Sequence, residues 1–329
     1  MLNDILAKPM MDKKGIFEFI RASVPSVKPP RHIDFMLEGS VLRVMMDGYG
    51  VRQNMQEDCA AFEGWIFCLR SYLGNRVSSV VLTWDNPCYS KEQATEEKHY
   101  NRFLLRVLWA CRNYSWFTVD KDRAAEIEVF RQAHQQLVVN FPTTENKSEC
   151  VSETNDSIRK PEAILEARIC RALNEKSPLT VHHQLPVGLF DREISKDTAL
   201  TPGGSSQVDL WQISHDVFRI YELKDTVNTD NRKVGILSEL MYYANLTVHL
   251  VITGQIKYPE EVYRKRTCYR GLQLLLTAIE DKRIQTVEAI FLADDLHPLI
   301  KDKLKEILVE LNKNALSVTY RYQPVSQLL

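Results

Sequence analysis

Apolar side chains recur along this chain with two different periods, and the switches between them mark out its elements. In the first 141 residues, VLRVMMD at 41–47 and VSSVVLTWD at 77–85 are short apolar runs rich in β-branched residues, as strands are. EDCAAFEGWIFCLRSYL at 57–73 places Phe62, Trp65, Ile66 and Leu69 on one helical stripe. KHYNRFLLRVLWACRN at 98–113 does the same with Phe103, Leu104, Val107 and Leu108. Such stripes are core-facing surfaces, and their alternation with strands is an α/β pattern. Asp47, Gly48, Tyr49 and Gly50 read as a turn, because a phosphate loop needs a longer glycine run opening onto a helix.

The run PTTENKSECVSETNDSIRK at 142–160 has almost no large apolar side chains and cannot bury enough surface to offset its ordering entropy. It predicts a polar linker between an N-terminal α/β domain, 1–141, and a second domain, 161–329, and a first proteolytic cut between them. No internal repeat is visible. The second domain predicts a helix from Pro161 through EAILEARICRALNE, an apolar HHQLPVGLF at 182–190 and a TPGGSS loop at 201–206. QVDLWQI at 207–213 and VFRIYELK at 217–224, joined by a short turn, predict a hairpin. A helix at 233–245, a strand TVHLVITG at 247–254, a helix at 259–280, a strand at 286–294, a helix at 298–313 and a strand at 315–322 follow. The fold class is α/β, two domains, the second a mixed sheet flanked by helices.

Chemistry concentrates on the predicted hairpin. Strand alternation sets Asp209 opposite in facing to Val208 and Leu210, and puts Glu222 and Lys224 together on the face that Tyr221 and Leu223 avoid. Two carboxylates and an ammonium then converge. Hard oxygen donors of this kind suit Mg²⁺, which takes one or two carboxylates, waters and a substrate phosphate, and activates water toward a phosphodiester. A partly desolvated lysine near a metal orients that water or takes its proton.

VDLW followed by IYELK resembles the PD-(D/E)XK (restriction endonuclease-like) nuclease superfamily, with an acid on one strand and acid-x-lysine on the next. Val208 replaces the proline. The helix EAILEAR before the hairpin and KVGILSEL after it match the superfamily's αβββαβ core, over about Lys160 to Gly254. The resemblance implies an Mg²⁺-dependent phosphodiesterase, with Mn²⁺ able to substitute, acting on nucleic acid, DNA ahead of RNA, in host defence or DNA repair. It implies catalytic Asp209, Glu222, Lys224 and Glu166, and a cation held by Asp209, Glu222, Glu166 and the Leu223 backbone carbonyl. Glu162, one turn earlier, is the alternative to Glu166. Gln207, Ser205, Ser206 and Glu239 are candidate substrate contacts, each equally readable as a solvated surface group or a plain turn. The rival readings are an inactive nucleic-acid-binding or interaction module on the same fold, and a small-molecule enzyme or interaction protein with an accidental motif.

Composition narrows the setting. With 42 basic and 43 acidic residues the chain lacks the overall positive field of a nucleic-acid coat protein, so any DNA contact is local. Lys257, Arg264, Lys265, Arg266 and Arg270 form one basic cluster, usually a solvated helix face. The 7 cysteines are scattered and never spaced CxxC, which argues against a disulfide framework or a zinc ribbon. His182 and His183 lack a partner at ligand spacing and are assigned no metal. No stretch reaches the roughly 18 apolar residues of a membrane span, so a cytoplasmic protein without a membrane partner is expected. The N-terminal domain is left to recognise a target, a protein partner or a second copy of the chain.

Overall fold

The computed structural model describes residues 10–141, 161–176, 181–202, 206–224, 233–265 and 271–329. The first half runs β1 (Met10–Asp12), α1 (Lys13–Arg21), β2 (Ile33–Glu38), β3 (Val41–Met46), α2 (Phe62–Leu73), β4 (Ser79–Trp84), α3 (Gln93–Asn113), β5 (Phe117–Val119), α4 (Lys121–Ala133) and β6 (Leu137–Val139). The second half begins α5 (Pro161–Lys176), β7 (Val181–Pro186), β8 (Leu189–Asp191), β9 (Gln207–Ser214), β10 (Val217–Leu223) and α6 (Gly235–Val251). It ends β11 (Ile256–Lys257), α7 (Glu260–Lys265), α8 (Leu272–Glu280), β12 (Thr286–Leu292), α9 (Pro298–Asp302), α10 (Leu304–Leu311) and β13 (Val318–Gln323). The class is α/β. Among the described residues three sheets form, in the orders β1-β2-β3-β4-β5, β13-β12-β10-β9-β7 and β11-β6-β8.

Alternation builds the first sheet, including β2, which the sequence reading did not include: Ile33, Phe35 and Leu37 on β2 and Leu42, Val44 and Met46 on β3 are buried, while Met36 and Met45 face out. Its inner face meets α1 and α2 through Phe17, Phe35 and Trp65, whose ring centroids lie 5.9–6.5 Å apart. The second sheet is mixed. β9 is antiparallel to β7 and β10, and β10, β12 and β13 run parallel.

The halves are not packed independently. Among the described residues one continuous cluster of buried apolar side chains runs from Ile16 to Tyr320, and a second, smaller one lies beneath α5 around Ile169, Leu210, Leu223 and Leu292. β6, from the first half, completes a sheet with β8 and β11 of the second. The expected linker at 142–160 lies outside the described residues.

Several elements differ from the sequence reading. TVHLVITG is not a strand, because 247–251 continue α6, which is buried at every residue. A helix without a polar face has no visible 3.6 period, and its β-branched end imitates a strand. HHQLPVGLF divides into β7 and β8 in different sheets, because Asn140 draws the Gly188 amide toward β6 with a 2.7 Å hydrogen bond. The helix at 259–280 is α7 and α8, with Gly271 at φ 78° capping the second. The helix at 298–313 breaks into α9 and α10 at Lys303. Among the described residues no helix is long and apolar enough to cross a membrane, and Cys59, Cys68, Cys88, Cys111 and Cys170 are free thiols.

Candidate active site

The hairpin ladder between β9 and β10 runs from Val217 opposite Ser214 to Tyr221 opposite Leu210. One step further the backbone pairing gives way to a side chain, as the Leu223 amide donates to Asp209 Oδ2 at 2.7 Å. The other edge of β9 is interrupted at the same level. His183 pairs with Leu210 and Leu185 with Val208, and between them Gln184 takes φ 44° where it would face Asp209. A non-glycine residue held there stores roughly 1–3 kcal/mol, and such strain gathers where function shapes the backbone. Asp209 thus stands at an opening in the sheet, bounded on both sides.

Lys224 follows β10 directly, and its amide donates to the Leu292 carbonyl on β12 at 2.9 Å. Its ammonium lies 2.6 Å from Glu222 Oε1 and 2.8 Å from Glu239 Oε2. Lys224, Glu222 and Glu239 are only 9%, 3% and 2% exposed. Two carboxylates therefore share one buried ammonium, with Asp209 adding its charge nearby, an imbalance that shows in their protonation. Burial, reinforced by Asp209 and Glu239, pushes Glu222 well above the usual carboxylate range. Burial likewise pushes Asp209 up to about 8, with Glu166 and Glu239 adding to it against the pull of Lys224 and the Leu223 amide. Glu239 is the acid that stays ionised: burial would raise it, but Lys224 and hydrogen bonds to Glu222 and Gln56 hold it below its ordinary value.

Burial would make the Lys224 ammonium lose its proton more easily, but Glu222, Glu239 and Asp209 outweigh burial and hold it well above the ordinary lysine value. The protonated ammonium is a hydrogen-bond donor.

Glu166, on α5, is buried and accepts from His183 Nδ1 at 2.9 Å and Gln184 Nε2 at 3.4 Å. Burial would lower the His183 imidazole, but its hydrogen bonds to Cys170 and Glu166 hold it up at about 10. The Glu162 side chain and Ser205 lie outside what the structure describes. Ser206 is buried and donates to the Pro202 carbonyl at 2.9 Å, so its hydroxyl serves the loop. Gln207 opens β9 and pairs with Pro186 at the same end of the sheet as Asp209. Glu239 is buried in the cluster, so the reading as a surface group is overturned. Of the basic cluster, Arg264 pairs with Glu260 at 2.8 Å on an exposed helix face, and Arg266 and Arg270 lie outside the described residues.

Two residues of the site carried no signal in the chain. His183, set aside as lacking a metal partner, fixes Glu166. Gln56, from the first half, donates to Glu239 Oε1 across 183 positions of sequence.

Among the described residues no group of three or more His, Cys, Asp or Glu is set to hold a metal by itself. Mg²⁺ asks less, since one or two carboxylates, waters and a substrate phosphate complete its shell. The donor set fits: Asp209 and Glu222 offer hard oxygen donors, and among the described residues Glu222 Oε2 is buried without a hydrogen-bond partner. The Leu223 carbonyl leaves its strand on the side of its amide, toward Asp209. The chain matches no protein-family model, no curated protein and no solved structure.

Proposed function

We propose that the chain is a cation-dependent phosphodiesterase, an endonuclease acting on DNA ahead of RNA, with its reaction centre at Asp209, Glu222 and Lys224. The observation that carries this reading is the buried excess of carboxylate over ammonium at the opening beside Asp209, with Glu222 Oε2 unsatisfied. Such an arrangement stores an electrostatic deficit that a divalent cation relieves. Supporting it, α5, β7, β9, β10, α6 and β12 follow the α-β-β-β-α-β order of the PD-(D/E)XK superfamily once β8, in another sheet, and β11, α7 and α8, between α6 and β12, are set aside.

Asp209, Glu222 and the Leu223 carbonyl would hold Mg²⁺ or Mn²⁺, which when bound stabilises charge on the phosphodiester and activates water. Lys224 supplies a fixed hydrogen-bond donor beside that centre, able to orient a water or a phosphate oxygen. Glu239 holds the ammonium in place from the α6 side. Glu166, fixed by His183, adds negative potential at Asp209 and so strengthens the demand for a cation.

The test is incubation with supercoiled plasmid, linear duplex, single-stranded DNA and RNA, each with Mg²⁺, Mn²⁺ or EDTA. Cleavage of at least one substrate with either cation and none in EDTA is expected. Retention of nucleic acid without cleavage under any condition would support the inactive binding module instead.

A further inference from the structure

The seam between the halves passes through the candidate site. The segment 53–60 lies on the first turn of α6 so closely that a Cβ at Gly235 would stand 2.1 Å from the Gln56 carbonyl oxygen. Asp58 accepts the Val234 amide at 3.0 Å, and Lys233 reaches Glu57 at 2.7 Å. The close approach at Gly235 and the Asp58–Val234 hydrogen bond fix the backbone of residue 56 relative to α6, whereas the part-exposed Glu57–Lys233 pair adds adhesion without setting that position. From there the Gln56 side chain donates to Glu239 Oε1.

Gln56 is held from behind. Its Oε1 accepts from Asn54 Nδ2 at 3.4 Å, and Asn54 Oδ1 accepts from Arg102 Nη2 at 3.0 Å. Arg102 is buried on α3, with its guanidinium 5.9 Å from the centre of the Tyr242 ring. Every donor in this series points the same way, from Arg102 through Asn54 and Gln56 to Glu239. The opposite orientation of the Gln56 amide would set two acceptors against each other at Glu239. Without Gln56, Glu239 Oε1 loses its closer amide donor and retains the Tyr243 hydroxyl at 3.4 Å. The carboxylate would then turn, and Lys224, 2.8 Å from its other oxygen, would turn with it.

We infer that Gln56 is a positioning residue for the acid–lysine cluster, so that the N-terminal half completes the reaction centre; this rests on the nuclease reading. Gln56 acts through Glu239, which sets the Lys224 ammonium relative to Glu222. The inference gives the first half a chemical task beside any recognition role.

Three variants of the full chain separate this task from simple adhesion of the halves. Gln56→Ala is expected to lower kcat by roughly 10- to 100-fold with KM within about twofold of wild type, because misplacing a reacting group costs turnover rather than binding. The isosteric Gln56→Glu, which sets a carboxylate against Glu239, should lower kcat at least as far. Glu57→Ala removes a contact at the same seam without touching Glu239 and should cleave within about twofold of wild type. A second measurement needs no cleavage: a double-mutant cycle of Gln56→Ala and Glu239→Gln by urea unfolding in EDTA. It should show the two positions coupled by roughly tenfold in the unfolding constant. Wild-type turnover in Gln56→Ala, an equal loss in Glu57→Ala, or an additive cycle would each overturn the inference. A coupled cycle in a chain that cleaves none of the four nucleic acids supports the contact and sinks the nuclease reading alone.

Discussion

Lys224 is the only cation within ion-pair reach of Glu222 and Glu239 among the described residues, so its removal isolates two buried carboxylates. Lys224→Met should therefore abolish cleavage and, in EDTA at neutral pH, lower stability by about 3–5 kcal/mol, the usual cost of breaking a buried pair from one side. Urea unfolding with and without Mg²⁺ checks this. The added cation should recover part of the loss, and a variant as stable as wild type in EDTA would show that the cluster is solvated. Asp209 behaves oppositely. Its folded value of about 8 lies above its ordinary 3.8, so the folded chain binds this proton more tightly than the unfolded one. Its contribution to stability is complete below about pH 4 and drains away as pH rises toward 8. Thermal unfolding in EDTA should thus give a Tm that falls between pH 5 and 8 more steeply in wild type than in Asp209→Asn, with Mg²⁺ opposing the fall; parallel profiles would refute the assignment. Asp209, Glu222 and Lys224 were legible in the sequence because each interrupts an apolar strand with period 2. Glu239 was half legible, since its helix was visible but not the burial of its face. Gln56 and His183 were not legible at all: their roles come from contacts that no local pattern encodes.

Gly64 on α2 meets the residue that precedes α6, and Gly235 at the start of α6 meets the segment that precedes α2. A Cβ at Gly64 would stand 2.4 Å from the Val234 carbonyl oxygen, and one at Gly235 would meet Gln56 at 2.1 Å. Both obstacles are backbone, which cannot swing aside as a side chain does. Gly64→Ala should then destabilise by about 1–3 kcal/mol although alanine is the better helix former by about 1 kcal/mol. Gly235→Ala should add a loss of turnover, because it lifts Gln56 away from Glu239. Denaturation and cleavage of the two variants side by side distinguish a packing fault from a displaced contact. Neither glycine was marked by a motif. Strands with alternation, such as β3 and β4, are simple to recognise, whereas α6 lost its period through complete burial and so passed partly for a strand. The three-residue strands β1, β5, β6 and β8 are too short for any period to show, and pairing across the chain makes them strands.

At the scale of the whole chain, composition separates two halves and packing joins them again. Glu63 on α2 takes Arg106 Nε from α3 at 2.8 Å and the Ser238 hydroxyl from α6 at 2.9 Å, all of it buried. Asn113 Nδ2 meets Asn245 Oδ1 across the same seam at 2.5 Å. Burial of apolar surface contributes about 25 cal/mol per Å², and a polar group stripped of its partner costs about 1–3 kcal/mol, so a seam of this kind resists separation twice over. Residues 161–329 expressed alone should consequently expose the apolar side of α6 together with the Ser238 hydroxyl and the Asn245 Oδ1 stripped of their partners. Such a fragment is expected to bind a hydrophobic dye, to aggregate at micromolar concentration and to lack cation-dependent cleavage. Co-expression of 1–141 and 161–329 as separate chains should instead yield one complex on size-exclusion chromatography with cleavage restored, because no peptide bond at 142–160 is needed to bring Gln56 against Glu239. A monomeric, cooperatively unfolding 161–329 with full cleavage would show that the second half is self-sufficient, and the completion of the site from the first half would have to be given up.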